Sequence, residues 1–258
     1  MTRSLLIFSS FVSTIFAATA LAQAAVPQVS VPLRIAIIGD STVSEYPETR
    51  PDRGWGQFVE ERFLPGTVKA SNLPVPGRST KTFIQAGDWE KTLQGKPNYV
   101  LIQFGHNDSH APENRESTDP AIDYKDYLRK YIDESRAAGA TPILVSPMVR
   151  RAFDEAGKFS EAPTGRNRPL GSYAAATREV GQEKKVAVID LYASSLALAA
   201  KLGPVASAEF ANKSGDGTHF NEKGARAMAD LVMRELPRAA PDLVKLLTTE
   251  RAATGGKR

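Results

Sequence analysis

Four short apolar runs punctuate the chain, each of strand length: Leu33–Gly39 (LRIAIIG), Asn98–Phe104 (NYVLIQF), Pro142–Ser146 (PILVS) and Val186–Leu191 (VAVIDL). A weaker fifth is Thr67–Leu73 (TVKASNL). Runs with so little polar alternation suit strands buried on both faces, as in a parallel sheet. Between them the apolar positions recur at helical spacing. Tyr124, Tyr127, Leu128, Tyr131 and Ile132 repeat at three and four, with Asp119-Pro120 as an expected start and Gly139 after the end. Trp55–Phe63, Thr80–Leu93 and Tyr173–Lys185 are further expected helices. Asn221–Leu236 is another, with Ala225, Met228, Val232 and Leu236 on one face and Pro237 as an expected stop. Strand and helix alternate throughout, which implies a doubly wound α/β sheet. No repeat or long linker divides the chain, so the expectation is one domain over 33–250, after a short leader at 25–32 and before a disordered tail at 251–258.

The first segment has a different pattern. Arg3 precedes an apolar run from Leu5 to about Ala22, which closes on small residues, Ala20-Leu21-Ala22 or Ala22-Gln23-Ala24. This is the layout of a signal peptide over 1–24, and it implies export, to the periplasm or beyond it. No later stretch has the roughly 18 apolar residues of a membrane span, so no stable membrane association is expected after cleavage. Losing Arg3 lowers the formal charge of +4 by one. Lys and Arg are scattered rather than blocked together, which argues against a nucleic-acid surface. The chain has no cysteine, which removes disulfides, thiolate metal sites and cysteine nucleophiles. It has three histidines, His106, His110 and His219, and any histidine chemistry must use these.

In open parallel sheets ligands bind beyond the carboxyl ends of the strands. The first strand ends in Gly39-Asp40-Ser41-Thr42, where Ser41 could present its hydroxyl at the sheet's edge; these residues also suit an ordinary turn. The second apolar run ends in Gly105-His106-Asn107-Asp108. Its asparagine could offer an amide to an oxyanion or simply form an Asx-turn. His106, Asp108 and His110 also allow a metal reading, which a strand-end loop does not favour. In Asp216-Gly217-Thr218-His219-Phe220, an Asp three residues before a His could bond Nδ1–H and leave Nε2 to take a proton from a serine. Pro76-Gly77-Arg78-Ser79 is a glycine turn able to expose backbone N–H groups. Each signal is weak alone. Together they fill the roles of nucleophile, base, orienter and oxyanion hole.

These blocks, GDST (39–42), Gly77, GHND (105–108) and DGTH (216–219), resemble the SGNH or GDSL-type hydrolases in identity and order. The resemblance implies a three-layer α/β/α, flavodoxin-like fold with a five-stranded parallel sheet. It implies a triad of Ser41, Asp216 and His219, an oxyanion hole of Ser41, Gly77 and Asn107, and no metal or cofactor. GWGQ (54–57), PGRSTKTF (76–83), LIQFGHND (101–108) and SPMVRRAF (146–153) are most similar to the rhamnogalacturonan acetylesterases. That implies a serine esterase that removes O-acetyl groups from a plant cell-wall polysaccharide. Rival readings are a lipase or thioesterase of the same superfamily, a xylan acetylesterase, and a non-catalytic carbohydrate-binding protein. Asp40, Trp55, Arg78, His106 and Arg150 are candidate substrate contacts. Trp89 and Arg151 are further candidates, against the plain alternatives of core packing and surface solvation.

Overall fold

Neighbouring residues along each central strand bury on opposite sides of one sheet. Ile35, Ile37, Leu101, Ile143 and Val145 join one core, while Ala36, Ile38, Val100, Ile102 and Leu144 join the other. Neither face meets water, which is why the runs show no polar alternation. The computed structural model describes residues 31–161 and 167–248. The signal peptide expected over 1–24, nearly all of the 25–32 leader and the 251–258 tail lie outside them.

The strands are β1 (Leu33–Gly39), β2 (Val68–Asn72), β3 (Tyr99–Gln103), β4 (Thr141–Val145) and β5 (Ala187–Ile189). They form one five-stranded parallel sheet in the order β2-β1-β3-β4-β5. Helices α1 (Thr80–Gln85), α2 (Asp88–Gln94), α3 (Asp123–Ala137) and α4 (Leu170–Lys184) supply the core of one face. Helices α5 (Leu191–Ala208) and α6 (Glu222–Ala239) supply that of the other, with short 3-10 turns at Trp55–Phe58 and Pro241–Leu246. The result is the three-layer α/β/α architecture. Its strand order reverses direction at β1, which pairs with β2 on one side and β3 on the other. The crevice beyond such a switch point is where α/β folds bind ligands.

Several expected boundaries move. Thr80–Leu93 is two helices, because Gly87 adopts φ +76° and breaks the turn between them. The segment Trp55–Phe63 is two 3-10 turns, Trp55–Phe58 and Glu60–Arg62, rather than one helix. Helix α3 starts at Asp123, not at Pro120: Asp119 accepts from Ala121 N at 2.8 Å and the Asp123 carboxylate accepts from Asp119 N, which closes a separate turn. Pro237 does not stop α6, which runs on to Ala239 and closes with Ala240 N on Leu236 O at 2.7 Å. The expected start of α6 is in place, with the Asn221 side chain accepting from Gly224 N at 3.0 Å.

Candidate active site

Ser41 stands on a turn built by its neighbour. Asp40 Oδ1 accepts from Thr42 N at 2.9 Å and from Thr42 Oγ1 at 2.7 Å, and its carbonyl accepts from Val43 N and Ser44 N at 3.1 and 3.2 Å. The turn passes so close to β3 that a Cβ on Gly39 would lie 2.5 Å from Gln103 O. Tyr46 OH donates to Ser41 O at 2.8 Å. The serine is left half-buried, at the mouth of the crevice between β1 and β3.

His219 arrives from the loop before α6. Its Nε2 lies 3.0 Å from Ser41 Oγ, and its Nδ1 lies 3.0 Å from Asp216 Oδ2. Asp216 Oδ1 is already occupied by Thr218 N and His219 N at 2.8 and 2.9 Å. Burial opposes the charge of Asp216, but those backbone donors and the imidazole hold its carboxyl below the usual range. An ionised Asp216 accepts from Nδ1–H, so the Nε2 lone pair faces the serine hydroxyl. Behind the loop, Arg151 donates from Nη2 to Asp216 O at 2.9 Å and to His219 O at 2.8 Å, with its guanidinium 4.3 Å from the Phe220 ring centroid. Burial pushes the Arg151 pKa down to about 10, still charged at neutral pH.

Two further groups border Ser41. Asn107, just beyond β3, donates from Nδ2 to Arg78 O at 2.8 Å. An amide has two N–H bonds, so the second stays available while the first fixes the group's orientation. Gly77 adopts φ +80°, a left-handed conformation that turns the chain ahead of α1. Two cavities meet at this point, of about 440 and 410 Å³. Both are lined by Ser41, Asn107, Asp216 and His219. The first continues along His110, Arg150 and Arg168, and the second along Tyr46, Arg50, Asn212 and Lys213.

Some candidate contacts are elsewhere. Trp55 is fully buried, with Nε1 on Gln103 Oε1 at 2.7 Å, so it packs the core instead of stacking on a sugar. Trp89 likewise lies edge-on to Tyr131 in the opposite core and donates to Glu134. Asp40 is also fully buried and is spent on its own turn. Its carboxyl is held down despite burial, by His106, whose Nδ1 is 3.4 Å away, and by Thr42. Burial in turn pushes the His106 pKa down, and the residue still borders the first cavity. Arg78 pairs with Asp88 at 3.3 Å and lines neither cavity. Arg150 does line the first, yet its Nη2 is tied to His106 O and Ser109 Oγ at 3.1 and 2.9 Å. Asp108, His106 and His110 turn to different partners: Thr80, Asp40 and Glu116.

Residues 37–227 match the sequence model of the GDSL-like lipase/acylhydrolase family. The chain belongs to that family. This esterase is 32% identical to the probable rhamnogalacturonan acetylesterase YesY of Bacillus subtilis (strain 168), over 84% of this chain and 98% of that one. It is 34% identical to the rhamnogalacturonan acetylesterase RhgT of the same organism, over 78% and 88% of the two chains. Among solved structures, YxiM of Bacillus subtilis matches with a TM-score of 0.67 and 30% identity, covering 81% of the esterase but 57% of YxiM. The acetylxylan esterase Axe2 of Geobacillus stearothermophilus shares the fold with a TM-score of 0.63 at 19% identity, over 80% and 94%. The protein is a carboxylic ester hydrolase on a three-layer α/β/α fold.

Proposed function

We propose that this esterase removes O-acetyl groups from an exported-enzyme substrate, acetylated rhamnogalacturonan, with Ser41 as nucleophile. The observation that carries the reading is the unbroken relay from Ser41 Oγ through His219 to Asp216, at 3.0 Å per step, beside Asn107. His219 Nε2 takes the hydroxyl proton as Oγ attacks the acetyl carbonyl. The oxyanion is held by Ser41 N–H, Gly77 N–H and the second N–H of Asn107. As the tetrahedral intermediate collapses, the sugar oxygen leaves with the proton from His219. Water then attacks acetyl-Ser41, giving its proton to His219, and acetate and free serine result. Asp216 holds the imidazole tautomer and balances the imidazolium. No step needs a metal or cofactor.

The lining of the two cavities supports a glycan over a long acyl chain. Apart from Ala152, Pro169, Leu170 and Pro76, their side chains are polar, aromatic or charged. The two rhamnogalacturonan-acetylesterase relatives, similar over most of their lengths, support the pectic substrate. The test is acetate release from acetylated rhamnogalacturonan, homogalacturonan and xylan, with Ser41→Ala as the blank. Preferential release from rhamnogalacturonan is expected. Release from xylan alone refutes the substrate and keeps the mechanism; turnover of long-chain synthetic esters alone refutes the glycan reading. Export is tested by sequencing the N-terminus of the protein recovered outside the cytoplasm, which should begin after Ala22 or Ala24. An intact Met1 there refutes cleavage.

A further inference from the structure

Asp108, like Asp40, is a fully buried carboxylate beside the site that the mechanism above does not use. It follows Asn107 in the chain and faces away from the crevice, toward the start of α1. Its Oδ1 accepts from Thr80 N at 3.1 Å, from the Thr80 hydroxyl, and from Thr118 Oγ1 at 2.9 Å; Oδ2 accepts from Thr80 N at 3.2 Å. Thr80 is the first residue of α1, three after Gly77. One residue before Asp108 on its loop and two before Thr80 on the other, Asn107 Nδ2 donates to Arg78 O. Two cross-links therefore join the loop after β3 to the loop before α1, and these loops carry the two oxyanion donors that Ser41 does not supply.

We propose that Asp108 is a positioning residue that sets the spacing between the Gly77 N–H and the Asn107 amide. The inference rests on the reading of these two groups as the oxyanion hole. The geometry has the rigidity this requires. Thr80 and Asp108 are fully buried, and Tyr131 OH pins Thr80 O at 2.8 Å from behind. On the far side, Tyr173 OH and Thr118 N bind Asp108 O at 2.9 and 3.0 Å. A neutral amide could keep one acceptor but would set an N–H against Thr80 N–H, which pushes the start of α1 away from β3. Burial lifts the carboxyl pKa to about 7 against the pull of its donors. A hydrophobic residue would avoid that cost, and would also release the cross-link.

The test compares Asp108→Asn, Thr80→Val, Thr80→Ser and Thr118→Val. Steady-state kinetics on a small acetyl ester are paired with the affinity of a boronic acid that forms a tetrahedral adduct on Ser41. Displacing one reacting group by about 1 Å can cost on the order of a hundredfold. Asp108→Asn should therefore lower kcat by roughly ten- to hundredfold, leave KM nearly unchanged and weaken boronate binding in parallel. Thr80→Val should move the same way by less, and Thr80→Ser should restore both readouts. Thr118→Val removes a bond to the same carboxylate without touching the loop of Gly77, and should lower stability alone. If Thr80→Val and Thr118→Val behave alike, Asp108 is structural only and the proposal fails; should Asp108→Asn not fold, this pair decides. Asn107→Ala separates the two layers of reasoning. If it leaves kcat intact, the hole itself is misassigned; if it lowers kcat while Thr80→Val does not, only the role of Asp108 is lost.

Discussion

Replacing Asp216 by Asn should harm this esterase more than replacing it by Ala. The reason lies in which way the amide must face. Asp216 Oδ1 accepts two backbone N–H bonds, from Thr218 and His219, at 2.8 and 2.9 Å. An asparagine keeps them only by placing its oxygen there, which aims its NH₂ at His219 Nδ1. Two donors cannot face each other, so Nδ1 must give up its proton and accept. The remaining proton then sits on Nε2, 3.0 Å from Ser41 Oγ, where a lone pair is needed. A triad locked in the wrong tautomer loses about four orders of magnitude in kcat, or roughly 5 kcal/mol. Alanine removes the orienter but imposes no tautomer, and the His219 side chain is 38% exposed, so water can serve Nδ1. The Ala variant should retain more activity while losing stability, by about 1–3 kcal/mol for the two stranded N–H groups. The assay is kcat on a small acetyl ester for both variants, with thermal unfolding alongside. If Asn retains more activity than Ala, or stays within about tenfold of the wild type, the tautomer argument is wrong.

Ser41→Ala should abolish turnover with folding intact by circular dichroism, and retained esterase activity would show that another group attacks. Asn107→Ala should cost about a hundredfold or more in kcat through one lost oxyanion donor, measured on the same ester. Asp108 predicts a pH dependence of stability. Its carboxyl rises from an ordinary 3.8 to about 7 on folding, so folding takes up a proton between those values, and stability falls as pH rises through about 7. Three units correspond to roughly 4 kcal/mol, and denaturant titrations at pH 4 and pH 8 should show the wild type losing that much relative to Asp108→Asn. His110→Ala and Lys213→Ala each alter one arm of the cleft. The Lys213 side chain makes no hydrogen bond or ion pair among the described residues, while its carbonyl accepts from Asp216 N at 3.2 Å, and His110 is steadied by Glu116 at 2.7 Å. Each should raise KM for the acetylated polymer by up to about fivefold with a small ester unaffected; equal effects on both substrates would place these residues outside the binding path.

The sheet was legible because parallel strands covered on both sides must be written as apolar runs, and the polar clusters after β1 and β3 had no apolar pattern to belong to. The site followed from those ends and from the spacing of Asp216 and His219. Other features leave weaker traces. Helix α5 went unpredicted: its run of Ala, Ser and Leu has no polar face, and Gly203 at φ +70° with Pro204 kinks it. Trp55 and Asp40 were misplaced at the substrate because a one-dimensional pattern does not tell a crevice wall from the layer behind it. Arg78, Arg150 and Arg151 are all charged and near the motifs, yet each is committed to a partner within the fold. The tie between Asp108 and Thr80 spans 28 positions, and nothing in either residue's neighbourhood announces the other.

Each group of the proposed mechanism is fixed by a bond that the chemistry does not consume. Asp40 folds the turn under Ser41, Arg78 O holds the Asn107 amide, and Arg151 staples the two ends of the Asp216–His219 turn. Such preorganisation lets fixed dipoles stabilise the oxyanion without moving as charge develops. On the proposed reading it also gives a reason for a buried carboxylate with a raised pKa next to Asn107. Above pH 7 Asp108 is ionised without a cation to pair it among the described residues, which weakens the fold, while the same carboxylate accepts from three donors, Thr80 N, Thr80 Oγ1 and Thr118 Oγ1, as no neutral isostere does. Asp108→Asn should then set stability and kcat against each other as pH rises from 4 to 8, stability improving relative to the wild type while the rate stays below it. A site residue kept for positioning at the expense of stability leaves that opposed signature; one kept for folding would move both quantities together.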